Sequence, residues 1–373
     1  MPAFLFVLGL AACRQRPEFD PSYHEFAYVS NGKSDSVSVI DTLALRNVKT
    51  INVGKNPTGL AVNPVRNEVY VANTESNNVS IINTEKNEVV ATIGVHRAPY
   101  FVSVSTDGKR AYVANSGSWN VSVIDLDKRA VMATIPVENA PGLARVSPDG
   151  SVVVVSNRGA DTVSLIDAQK LAVRSTLPLC SQPQDIVILP DSSKAYVSCP
   201  GNNQLASIDL KTDKVVALLD IGKLPIHMAL KPDGGEIFVS NFDGNTISIV
   251  EAYTNEVSGS YLIGRNPVRG LVTSDNLLLY VSNFGSDNMS VYAIDEGRVI
   301  GSVGVGSRPD GLALTPSEDH LLVVDTKSGD VAVIRTTKTR DNSKISAERA
   351  LVTMIPVGNQ PNDIVIKAFK SGR

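Results

Sequence analysis

Eight positions in this chain, Asn31, Asn73, Asn115, Asn157, Cys199, Asn241, Asn283 and Asp325, follow one another at an unbroken interval of 42 residues. Each of the eight is preceded by a β-rich run such as Ala27-Tyr28-Val29-Ser30, Val69-Tyr70-Val71-Ala72 or Leu279-Tyr280-Val281-Ser282. A self-similar period between about 20 and 50 residues marks a repeat architecture and constrains the fold before any local reading. A proline keeps the same beat at Pro57, Pro99, Pro141, Pro183, Pro225, Pro267 and Pro309, and returns at Pro361 ten residues late. The polar stretch over 336–348 accounts for the delay and reads as a longer loop between the last two strands of its unit.

Each unit holds four strand-like runs. In residues 99–137 they are Tyr100–Val104, Arg110–Asn115, Asn120–Asp125 and Val131–Val137, separated by turn residues such as Thr106-Asp107-Gly108. Short links make neighbouring runs antiparallel, so each unit predicts one four-stranded sheet. Sheets repeated this way close radially into an all-β propeller with only short, protected edges. The chain starts with a second-type strand near Phe26 and ends with a first-type strand, Asp363–Ile366, so the last strand must complete the first sheet. Eight copies of each strand type then predict eight blades over residues 26–368.

The motifs Tyr-Val-Ser-Asn at 28–31, Val-Ser-Val-Ile-Asp at 37–41 and 121–125, and Pro-Gly-Leu-Ala with Ser-Pro-Asp-Gly within 141–150 resemble the YVTN-repeat, or YncE-like, β-propeller family. The resemblance covers roughly residues 26–367. Many members of that family have seven blades, so a count of eight departs from its common pattern. Eight-bladed relatives include the haem-binding domain of dissimilatory nitrite reductases and a protein of that haem's biosynthesis. The resemblance implies fold and export more than function, because one fold serves many tasks.

The apolar run from Ala3 to Leu10 is too short to span a bilayer as a helix. It leads into Leu10-Ala11-Ala12-Cys13, which resembles the lipobox of bacterial lipoproteins, although no basic residue precedes it. That resemblance implies a signal peptide over 1–12, a lipid on Cys13, a tether over 13–25, and residence in the cell envelope, at the periplasm or the cell surface. The 35 basic and 38 acidic residues form no basic stripe, which argues against nucleic acid as a partner. The lipid would be the only membrane contact, and the chain is expected to be a monomer.

The first strand of each blade lines the central channel of a propeller. The second residue after each opening proline therefore forms a ring at one mouth: Gly59, Phe101, Leu143, Asp185, His227, Arg269, Gly311 and Asp363. Convergent polar groups at a concave mouth are the default candidate site. Here they are Asp185, His227 and Arg269 on successive blades, with Asp363 across the channel. They either bind a ligand or pair with one another in a hydrated channel. Lys55, Arg97, Lys223, Arg265 and Arg308, with His96 nearby, place further cations on that face, and Trp119, Tyr100 and Phe101 place aromatics there. Phe242 and Phe284 follow the repeat position of their own units.

No metal ligand set is expected, since the ring offers a single His, and no catalytic residue or cofactor is assigned, haem and metal being left open. Cys199 and Cys180 fall at adjoining strand ends, and a disulfide between them would stabilise the fold by roughly 3 kcal/mol. Two functions remain in view. One is a non-catalytic module that binds a partner protein or small ligand at the channel mouth. The other is an enzyme or accessory factor using the same mouth: a haem- or quinone-handling protein, or a lactonase-like hydrolase.

Overall fold

The computed structural model describes residues 20–336 and 350–371. Among them are thirty-two strands, β1–β32, and no helix. They form eight separate four-stranded antiparallel sheets, the blades of a β-propeller. The eight innermost strands are β4 (Pro57–Val62), β8 (Pro99–Val104), β12 (Pro141–Val146), β16 (Ile186–Ile188), β20 (Pro225–Leu230), β24 (Pro267–Val272), β28 (Pro309–Leu314) and β32 (Pro361–Lys370). All enter from one end of the channel, here called the proline face.

The ring closes as the strand count requires. One blade has the order β3 (Arg46–Asn52), β2 (Ser36–Asp41), β1 (Tyr23–Asn31), β32, so its innermost strand comes from the far end of the chain. The β1–β32 ladder runs from Asn31↔Pro361 out to Tyr23↔Lys370. It extends beyond the repeat span of 26–368 at both ends, because the two terminal strands continue to satisfy one another's backbone groups. The insertion before Pro361 falls between β30 (Asp330–Arg335) and β31 (Ala350–Pro356), and most of it lies outside the described residues.

The strand pleat explains the repeated Tyr-Val pattern. Successive side chains of a second strand point to opposite faces and pack against different neighbouring blades. Val69 and Val71 join Tyr28 and Val39 of the preceding blade. Tyr70 and Ala72 join Val102, Ala111 and Val113 of the following one. The core is thus a series of blade-to-blade layers rather than one centre.

The repeat Asn is a buried clamp. Asn73 Nδ2 donates to Asn78 Oδ1 at 2.7 Å and Ser80 Oγ at 2.9 Å on the third strand. Asn31, Asn115, Asn157, Asn241 and Asn283 repeat this pair of bonds. In four of these blades a glycine nineteen positions earlier in the ring (Gly54, Gly222, Gly264, Gly358) lies against that side chain, where a Cβ would come within 3 Å of it, and Gly306 lies likewise against Asp325. In the blade of Cys199 the same two places hold Cys180 and Cys199, which are disulfide-bonded with Cα atoms 5.8 Å apart.

Candidate functional site

Every innermost strand except β16 has its register shifted just after the proline. The shift frees backbone groups at the mouth, and side chains take them up. The second-strand serine of the repeat bridges two blades. Ser30 Oγ accepts the Asp363 N–H at 3.2 Å and donates to the Thr58 carbonyl of the next blade at 2.7 Å. Ser156 and Ser282 repeat the arrangement.

The ring residues add a second bridge. Asp185 Oδ2 accepts the N–H of Met228 at 2.9 Å, and its Oδ1 accepts that of Ile186 at 2.9 Å. His227 Nδ1 accepts the N–H of Gly270 at 3.3 Å. Asp363 Oδ2 accepts the N–H of Leu60 at 3.0 Å. In each case an acceptor two places after the proline binds the N–H three places after the next blade's proline. Asp185, His227 and Asp363 are thereby structural fasteners as well as mouth residues.

This geometry fixes the state of His227. With Nδ1 accepting, the neutral ring carries its proton on Nε2, 4.0 Å from Asp185 Oδ2. Burial pushes the His227 pKa down to about 4; Arg269 and Arg145 add to the effect, and Asp185 only partly opposes it. Arg269 pairs with Asp310, Nε to Oδ1 at 3.3 Å, rather than with Asp185. Burial works against the Arg269 charge, but Asp310, Asp363 and Asp185 together overcome it and raise its pKa. Burial also raises the Asp310 pKa, with Asp363 adding and Arg269 opposing.

Three mouth residues were not singled out by the second-after-proline ring. Arg145 lies two residues further along its strand than Leu143, on the face that the pleat turns to the axis. Its guanidinium sits 4.7 Å over the Phe101 ring and 3.8 Å from Asp185 Oδ1, and its Nε is buried with no hydrogen-bond partner. Arg158 follows a repeat Asn, is exposed, and has no ion-pair partner among the described residues. Asp310 directly follows its proline. The proline-anchored register signals Arg145 and Asp310 once it is widened from one position to its neighbours, and the repeat Asn157 signals Arg158.

A pocket of about 180 Å³ at the mouth is lined by Tyr100, Phe101, Arg145, Arg158, Asp185 and His227, among others. It opens beside a channel cavity of about 570 Å³ that shares Phe101, Arg145, His227 and Arg269 and adds Asp363. Asp185, His227, Arg269, Asp363, Tyr100 and Phe101 therefore do converge. Trp119 does not line either cavity. It lies further out, in the turn between β9 (Arg110–Asn115) and β10 (Asn120–Asp125), 57 % exposed and with φ of +55°. Phe242 and Phe284 contact each other on the proline face with ring centres 6.2 Å apart, and Arg308 covers Phe284. Cys13 lies outside the described residues.

No group of three or more His, Cys, Asp or Glu side chains able to hold a metal ion occurs among the described residues. The His227 Nε2 bears a proton in this geometry, so the ring presents no imidazole lone pair to a haem iron either.

The family model of the choice-of-anchor I domain matches residues 18–283, more than half of the sequence. The chain belongs to that family, here as an eight-bladed propeller. A model described as a lactonase, 7-bladed β-propeller, matches residues 271–352. Among curated proteins none matches. Solved structures share the fold. Hydrazine synthase of Kuenenia stuttgartiensis is 23 % identical, with 71 % of this chain and 91 % of that one covered and a TM-score of 0.60. The dihydro-heme d1 dehydrogenase NirN, in complex with DHE, is 15 % identical with 95 % and 78 % covered and a TM-score of 0.75. A functionally unknown protein from Desulfotomaculum acetoxidans is 18 % identical, covers 91 % and 98 %, and has a TM-score of 0.61. At these identities the likeness is one of fold alone.

Proposed function

We propose that this protein is a non-catalytic binding module of the YVTN-repeat type, exported and lipid-anchored through Cys13, that takes a small anionic ligand or an acidic group of a partner protein at the channel mouth. One observation carries the reading. The mouth carboxylates are already engaged, Asp185 and Asp363 by backbone N–H groups and Asp310 by Arg269. The guanidinium groups of Arg145 and Arg158 retain free donors beside the aromatic surfaces of Phe101 and Tyr100. Planar cations beside aromatic faces suit carboxylate or phosphate groups attached to an apolar body.

The fold shared with NirN, whose structure holds DHE, supports a second reading, a haem-handling factor. A tetrapyrrole's carboxylates would meet the same two arginines, with the iron unligated by His227. A quinone handler remains a variant of it. A lactonase-like hydrolase is favoured least, because the mouth carboxylates are occupied in holding the ring together.

Absorbance and mass spectrometry of protein isolated from its native membrane test the reading, together with Arg145→Ala and Arg158→Ala. Loss of one charge-assisted bond should weaken retention of the co-isolated ligand about tenfold or more. Unchanged retention in both variants would overturn the site.

A further inference from the structure

We propose that the channel mouth faces away from the membrane that carries the anchor, so that its ligand or partner must arrive from the aqueous phase. The inference rests on the reading of Cys13 as the anchor and is carried by the placement of the chain ends.

Strand β1 runs toward the proline face, ending at Asn31 opposite Pro361, so its start lies on the opposite face. That start is tied down. Asp20 accepts the Ser22 N–H at 3.0 Å and the Tyr23 N–H at 2.8 Å, and its carboxylate pairs with Lys370 at 3.1 Å. Ser371 N–H donates to the Ser22 carbonyl at 2.8 Å, and His24 and Phe369 rings lie 5.4 Å apart. The chain therefore leaves the propeller at Asp20 on the face away from the mouth.

Length decides whether the disc can turn over. From Cys13 to Asp20 the chain spans at most roughly 25 Å, at about 3.5 Å per residue. To bring the mouth to the membrane, that segment would have to pass outward over β2 and β3 and then climb the blade. Two strand spacings of about 4.8 Å and a strand of six or seven residues at about 3.3 Å each require roughly 30 Å before the turns are counted. The closed ring blocks the shorter way inward.

Charge does not reverse this. The opposite face carries Asp107, Asp149, Asp191, Asp233 and Asp275 at the 42-residue interval, each accepting a turn N–H. Their repulsion from anionic lipid is screened within about 8 Å at physiological salt, so it holds the disc off the surface without inverting it. A quinone dissolved in the bilayer would then have no direct path to Arg145 and Arg158.

The only tryptophan, Trp119, is exposed on the proline face and serves as a built-in reporter. Cys13 is the single cysteine outside the disulfide, so it can be coupled to maleimide-headgroup lipid in vesicles that also contain dansyl-headgroup lipid. Energy transfer from Trp119 should be several-fold weaker than from a Tyr253→Trp, Trp119→Phe double variant, whose reporter occupies an exposed turn of the opposite face. Equal or stronger transfer from Trp119 would overturn the orientation while leaving the mouth reading intact. Mass spectrometry of natively isolated protein forms the second arm. Absence of a lipid on Cys13 there would overturn both the anchor reading and this inference.

Discussion

The Asp185 carboxylate holds the N–H of Met228 in the next blade at 2.9 Å while also accepting the N–H of Ile186. The bond crosses from the start of β16 to β20, so this side chain fastens one blade to the next. Asp185→Ala should therefore cost about 2–3 kcal/mol in urea unfolding, since it strands a buried donor that was paired with a charge. Asp185→Asn, which keeps one acceptor, should cost less. Equal stability of wild type and the alanine variant would show the Met228 bond to be dispensable.

His227 should behave as a neutral, Nε2-protonated ring throughout the physiological range. Its folded pKa of about 4 lies below the ordinary 6.5, so the unfolded chain binds the proton more readily. The contribution of this group to stability should be constant above about pH 6.5 and fall as the pH drops from there toward 4. Nitrogen NMR shifts of the imidazole check both the tautomer and the titration. A His227 midpoint near 6.5 would contradict the burial argument.

Asp325 stands where six other blades have the Asn clamp, facing Asp330 where they have Ser, Thr or Asn, and Ala332 where they have Ser. Burial, then the neighbouring Asp330, pushes its pKa up to about 8. Because the folded form keeps the proton and the unfolded form loses it near 3.8, this group's contribution declines as pH rises from about 4 to 8. Asp325→Asn restores the amide donor. It should raise stability at pH 9 by roughly 2 kcal/mol and leave it little changed at pH 4. Parallel pH profiles for the two proteins would refute the assignment.

Trp119 occupies a left-handed position at which the other described blades place Asn, Asp or Gly. In six blades the Asn or Asp side chain accepts the N–H of the residue before the next proline, as Asp35 does for Asn56 at 2.9 Å. Tryptophan makes no such bond to Ala140. Trp119→Asn should accordingly raise stability by about 1–2 kcal/mol, measured as an upward shift of the unfolding midpoint. A residue that costs stability and exposes an aromatic surface is a candidate for contact with a partner, so the same variant should be assayed for lost co-purification.

The 42-residue beat made the blades, their number and the closure at β1 and β32 legible, because period and pleat are local properties that add up around a ring. The same register brought Asp185, His227, Arg269 and Asp363 to one mouth. It did not disclose that three of them are fasteners, since that depends on backbone groups freed by the shift after each proline. Nor did it pick out Arg145, which lies one pleat further along, or the pairing of Arg269 with Asp310. Those contacts join residues about 40 positions apart through side-chain geometry that no spacing specifies.

The Cys180–Cys199 bond has a consequence for where the ring can be whole. At that joint the glycine–asparagine contact has been given up, and with it the amide donor that locks the strand ends elsewhere. Reduced, the joint would keep two thiols, which are weak hydrogen-bonding groups, and nothing to replace the lost clamp. The blade is complete only where thiols are oxidised, so the chemical poise of its surroundings enters the fold as a seventh fastening beside the six asparagine clamps.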